Sequence, residues 1–167
     1  MAEPATSSRV ERAWDVLAKV PDPEVPVISV VELGIIREVV DTEQGQLVVS
    51  VSPTYSGCPA VEAINVNIHA ALQDAGFTDV RIKSVLIPAW STDDISAAGR
   101  EKLLAYGIAP PNGSVNKGVL TGDDRPRACP LCQSTNTELL SQFGSTACKA
   151  LYRCIDCREP FDYFKCH

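Results

Sequence analysis

The feature that most constrains this chain is a pair of cysteine knuckles near its end, Cys129-Pro130-Leu131-Cys132 and Cys154-Ile155-Asp156-Cys157, with 21 residues between them. Six of the seven cysteines lie beyond residue 128. A tail of 39 residues, 129–167, buries too little apolar area to fold unaided and needs a staple. Four thiolates presented in pairs by two tight turns suit a tetrahedral ion, and structural zinc uses this ligand set. Iron of the rubredoxin type uses the same ligands, but an exposed structural site needs no redox partner, which favours zinc. Disulfides would be the alternative in a secreted chain. The start, Met-Ala-Glu-Pro-Ala-Thr-Ser-Ser-Arg, lacks the layout of a signal peptide, and no apolar run reaches membrane-spanning length. The expectation is a cytoplasmic protein with metal rather than disulfides.

Glycine usually follows each knuckle of a ribbon, where positive φ is wanted; here Gln133 and Arg158 stand in those places. Cys148, Cys166 and His167 are left over, the two cysteines read as small buried residues. Tyr152, Phe161, Tyr163 and Phe164 build a thin core or a protein contact. From residue 123 on, six basic residues balance six acidic ones, and the whole chain carries a net charge of -6. Neither is the footprint of a nucleic-acid binder.

The remainder of the 167 residues is long enough for one ordinary domain, and 45% apolar against 22% charged residues is a globular balance. Residues 1–7 are small and polar and stand outside the fold. Ser8 and Glu11 form a capping box ahead of Val10, Ala13, Trp14 and Leu17, a first amphipathic helix. Three prolines between Pro21 and Pro26 force a loop. The β-branched runs 35–41 and 47–52 flank a Gly45 turn and read as a hairpin. A second helix carries Val61, Ile64, Ile68, Ala71, Leu72 and Ala75 on one stripe. A third strand at 80–87 and a helix capped by Ser91 and Asp94, ending at Gly107, complete an αββαβα two-layer α/β domain over 8–107. Residues 108–128 read as a linker, and 129–167 as a four-cysteine zinc ribbon.

Thr54-Tyr55-Ser56-Gly57-Cys58-Pro59 lies between a strand and a helix, so the sequence places Cys58 at a helix N-terminus with Pro59 at the first helical position. Backbone N–H groups and the helix dipole there favour a thiolate. Gly57 allows a ligand or partner to come close. A small residue in a tight turn satisfies the same pattern, and the residues alone leave both readings open.

Asp22-Pro23-Glu24-Val25-Pro26, Glu32-Leu33-Gly34-Ile35-Ile36 and 54–59 resemble the three motifs of the iron-sulfur cluster assembly domain family. Two further stretches, 88–93 continuing to 111 and the closing 159–166, resemble the family of D subunits of the phenylacetyl-CoA epoxidase system. The first resemblance implies that Cys58 is the functional thiol, with Asp22 and Thr54 beside it, and that an iron-sulfur cluster is transiently held. The second implies an accessory, non-catalytic component in phenylacetate catabolism that assists metal-centre maturation. Its partners would be other epoxidase proteins, above all the flavin and iron-sulfur reductase. A homodimer and a scaffold role in the oxygenase complex stay open.

Other residues carry less. His69 falls with Glu62, Asn65 and Gln73 on a polar stripe and reads as a surface residue. Trp14 and Trp90 read as anchors of a core or interface, and Asp93 and Asp94 as helix N-terminal charge. The chain lacks a general acid-base set and a phosphate loop, which argues against an enzyme. A thiol oxidoreductase would need a resolving cysteine near Cys58, and the next cysteine is Cys129.

Overall fold

The computed structural model describes residues 5–55, 57–111 and 128–164. Ser56, Cys166, His167 and residues 112–127 of the expected linker lie outside the described residues. The chain divides into two compact units, residues 1–90 and 91–167.

The first unit contains α1 (Ala5–Leu17), β1 (Ile36–Asp41), β2 (Leu47–Val51), α2 (Val61–Asp74) and β3 (Val80–Ser84). β1 and β2 form the expected hairpin, Ile36 opposite Val51 and Asp41 opposite Leu47. Gly45 turns it with φ +80°, a conformation that costs a residue with a Cβ. β3 pairs parallel to β2, which requires a crossover, and α2 supplies it. The sheet order is β1-β2-β3, and α1 and α2 pack against one another and on β1 and β3 respectively, giving two layers.

Period decides what is buried. On β2, Leu47, Val49 and Val51 are all buried, as alternation requires. Ala13 and Leu17 of the first helical stripe and Ile64, Ile68 and Leu72 of the second are buried as well. Removing one such Leu, Ile or Val from water is worth about 1.5–3 kcal/mol, so this unit owns a sufficient apolar core. Trp14 is half-buried, whereas Trp90 is buried and donates its indole N–H to the Leu33 carbonyl at 2.9 Å. The latter is a core anchor.

One local expectation fails here. α1 begins at Ala5, so Ser8 lies within the helix rather than at its cap, and residues 5–7 are helical. A capping box occurs instead at Ser29 and Glu32, where each side chain accepts from the other's backbone N–H at 3.1 and 2.9 Å. It has the same S-x-x-E spacing and holds a turn between the proline loop and β1.

The second unit runs from a 3-10 turn (Thr92–Asp94) through α3 (Ala97–Ala105), β4 (Ile108–Ala109), β5 (Thr137–Ser141), β6 (Lys149–Cys154) and β7 (Pro160–Phe164). Asp94 accepts from the Ser91 N–H at 2.7 Å as expected, but Ser96 starts a separate cap for α3 by accepting from the Gly99 N–H at 3.0 Å. The single helix read from the sequence is therefore a turn followed by a helix. The sheet order is β4-β7-β6-β5. β6 pairs antiparallel with β5 and β7, while β4 runs parallel to β7, with Ile108 opposite Asp162. Residues 97–109 thus stand with the ribbon and not with the αββαβ unit, and 108–109 are strand rather than linker. Tyr152, Phe161 and Tyr163 are buried with Ala109, Ala150, Cys129 and Cys154. Tyr152 stacks on Phe161 at 6.0 Å and meets Tyr163 edge-on at 5.6 Å between ring centroids. The aromatic core is real and thin.

Candidate metal centre and the Cys58 loop

The two knuckles are conformational copies. The first cysteine of each donates its N–H to the carbonyl five residues on, Cys129 to Ser134 at 2.8 Å and Cys154 to Glu159 at 3.0 Å. The residue after each knuckle is left-handed, Gln133 with φ 64° and Arg158 with φ 66°. The ribbon therefore imposes positive φ on two residues with a Cβ, at a strain of roughly 1–2 kcal/mol each. Such strain persists only where surrounding structure holds it.

The copies face each other. The Sγ atoms of Cys129, Cys132, Cys154 and Cys157 all lie within 4.8 Å of one another. Cys129 to Cys157 is 3.9 Å and Cys132 to Cys154 is 3.5 Å. A tetrahedral ion with metal–sulfur bonds of about 2.3 Å has sulfur–sulfur edges of about 3.8 Å. The donor set fits such an ion, with Cys129 and Cys154 buried, Cys157 half-buried and Cys132 open to solvent. When bound, it would cross-link the knuckles through four thiolates.

The protonation pattern agrees with that chemistry. Backbone donation, first from the Cys157 N–H, pulls Cys154 down to about 7. At Cys157 the Glu159 N–H favours the thiolate, yet burial and the crowding sulfurs of Cys132, Cys154 and Cys129 push it up to about 12. Cys132 is likewise raised, the Ser134 N–H being outweighed by Cys154 and burial. Four adjacent sulfurs cannot all ionise without a cation, so metal binding releases protons and strengthens as pH rises.

The second candidate region is built by topology. β1 begins where β2 ends, and β3 ends beside β2, with Val51 opposite both Ile36 and Ser84. The segment entering β1 and those leaving β2 and β3 therefore emerge at one end of the sheet. Ser52 N–H to the Ile35 carbonyl at 2.8 Å, Val85 N–H to Val51 at 2.9 Å, and the Trp90–Leu33 bond tie them together. These segments carry Asp22, Thr54 and Cys58.

Asp22 is buried, and its Oδ1 accepts from the N–H groups of Glu24 and Val25 at 2.9 and 2.8 Å. It shapes the proline loop, whatever else it does. Thr54 and Cys58 are half-buried. α2 starts at Val61, so Pro59 is not its first residue and Cys58 lies three residues ahead of it; the Cys58 carbonyl accepts the Val61 N–H at 3.2 Å. Gly57 has φ +82° with open space where a Cβ would point. Positive φ, rather than a close neighbour within the chain, explains that glycine. His69 is half-buried on α2 and joins no metal-ligand cluster among the described residues.

Sequence comparison matches residues 11–84 to a family described as iron-sulfur cluster assembly protein, and residues 114–165 to one described as PaaD zinc beta ribbon domain. The chain is 48% identical over 158 residues to an Escherichia coli (strain K12) protein named as the putative D subunit of 1,2-phenylacetyl-CoA epoxidase, covering 95% of this chain and 93% of that one. Among solved structures, a domain of unknown function, DUF59, from Bacillus anthracis superposes with a TM-score of 0.55 at 23% identity, covering 59% of this chain and 94% of that one. This last likeness establishes the fold of the matched part and nothing more.

Proposed function

The chain belongs to the family of the epoxidase D-type protein of E. coli, and we propose that it is a non-catalytic accessory subunit of a 1,2-phenylacetyl-CoA epoxidase system. Its task in this reading is maturation of an iron-sulfur or other metal centre in the oxygenase or reductase, the flavin and iron-sulfur reductase being the preferred client. Cys58 acts as a transient ligand to the cargo, with Asp22 and Thr54 shaping its surroundings, from one chain or across a homodimer. The ribbon, holding structural zinc, serves as the docking module.

The observation that carries this reading is the convergence of three loops, one bearing Cys58, at one end of the sheet in a domain matched to iron-sulfur assembly. A half-buried sulfur beside an open left-handed glycine can be reached by a cluster or a partner thiol. If the protein serves maturation, purified oxygenase and reductase with complete metal centres turn over without it, and cells carrying Cys58→Ala accumulate a client poor in iron and sulfide. A complete system that still requires it in stoichiometric amounts, or a Cys58→Ala strain with normal cluster content, defeats this reading.

Those outcomes would favour a docking or scaffold role. One observation points that way: Leu139, Leu140 and Phe143, in and just beyond the edge strand β5, are 47%, 49% and 61% exposed.

A further inference from the structure

The two knuckles match in backbone but not in what lies between their cysteines. The second position of the gap is Leu131 in the first knuckle, an exposed apolar residue, and Asp156 in the second. The Asp156 carboxylate reaches across to the segment that follows the first knuckle. One oxygen accepts from the Ser134 hydroxyl, and the other accepts from the Asn136 side-chain amide at 3.1 Å. Ser134 Oγ in turn accepts the Asn136 N–H at 3.0 Å. The Ile155 N–H donates to the Asn136 carbonyl at 2.9 Å, and the Ser134 carbonyl accepts from Cys129. Apart from the Cys129–Ser134 bond, every link of this network joins residues that lie between the second pair of cysteines or just beyond the first. At the matching position of the first knuckle the Leu131 side chain has no polar atom to offer.

We infer that Asp156 is a positioning residue for the four-cysteine centre, closing a hydrogen-bonded clasp with Ser134 and Asn136 that fixes one knuckle against the other. An ion that must gather two independently mobile knuckles binds against their conformational entropy. The clasp removes part of that cost, and it slows the opening through which the ion leaves. Because the clasp consists only of protein groups, it operates in the metal-free chain as well. Partners that orient ligands without touching the ion typically account for about 10–100-fold in affinity.

The inference rests on the metal centre, and the test separates the two. Full-length protein is loaded with Zn2+, and transfer of the ion to a chromophoric chelator is followed for wild type, Asp156→Ala, Ser134→Ala and the double variant, with Glu138→Gln as a control carboxylate elsewhere on the ribbon. Expected are release or affinity changes of about 10–100-fold for Asp156→Ala and a smaller change for Ser134→Ala, which leaves the Asn136 amide bond to Asp156 in place. The double variant should be little worse than Asp156→Ala, since the two residues share the only contact of Ser134 that spans the knuckles and the bond lost in addition, Asn136 N–H to Ser134 Oγ, is local to one side, and Glu138→Gln should match wild type. Co2+ loading provides a check independent of stability, because a ligand field distorted in Asp156→Ala shifts its visible bands. Wild-type retention in Asp156→Ala, or additive single effects, overturns the clasp. A wild-type chain that takes up no Zn2+ overturns the centre itself and the clasp with it.

Discussion

The two units are held together by different means. The first fills a two-layer sandwich with aliphatic side chains from both helices and from β1 and β2, and each of Leu17, Leu47, Val49, Ile68 and Leu72 is buried completely. The second packs the rings of Tyr152, Phe161 and Tyr163 together with the sulfurs of Cys129 and Cys154, so that these two cysteines are members of a core cluster rather than ornaments on it. A sandwich loses stability by degrees as its side chains are trimmed, whereas a ribbon whose core includes two of four sulfurs placed for one ion would depend on one interaction. The contrast teaches that two parts of one chain can differ in what they would answer to, packing in one case and, on the proposed reading, metal supply in the other.

The hardest test of that contrast is to remove a ligand. Cys154→Ala should abolish tight metal binding, which in zinc-finger peptides is worth about 10–16 kcal/mol of apparent folding energy. Hydrogen exchange should then show β5, β6 and β7 unprotected and β1, β2 and β3 unchanged. The informative amides are those of α3: if they lose protection with the ribbon, the boundary at residue 90 is a folding boundary, and if they stay protected it is only a geometric one.

A milder perturbation runs in the opposite direction. Ile68→Ala removes a buried side chain from α2 and should cost about 2–5 kcal/mol in the first unit, read as an earlier denaturant midpoint for its transition. Zn2+ retention should be unaffected. A loss of both together would show the units to be energetically coupled.

The smallest expected effect has the opposite sign. Gln133→Gly or Arg158→Gly relieves left-handed strain at the end of a knuckle but adds freedom to the unfolded chain, for a net gain of about 0.5–1 kcal/mol. Thermal melting of the metal-loaded protein checks it, and no gain would show that these side chains make compensating contacts.

Much of this architecture was legible in the sequence because its signals are local. Periods of 3.6 and 2 located both long helices and the strands, and two C-x-x-C spacings identified the four sulfurs that the structure brings together. Gln133 and Arg158 stood against the ribbon in the sequence, because glycine is expected there, and the structure takes up the left-handed backbone at both all the same. What escaped depends on residues distant in sequence. β4 is two residues long and becomes a strand only because β7 offers it an edge. Ser29 and Glu32 repeat the spacing of Ser8 and Glu11, but helix propagation to Ala5 leaves Ser8 inside the helix. Asp156, 22 residues from Ser134, becomes a clasp only after the knuckles have met.

The parallel pairing of β4 with β7 bears on the order in which the chain can be completed during synthesis. Every strand and helix of the first unit has been made once the ribosome passes Trp90, and the sandwich can close while translation continues. β4 follows soon after, but its partner is encoded about fifty codons later, and so is the second pair of sulfurs. Ile108 and Ala109 must wait without a sheet until Asp162 and Tyr163 are made. Capture of an ion by the four sulfurs would therefore be a late event in the life of each nascent chain, and the loop bearing Cys58 can be in its final fold before the ribbon exists.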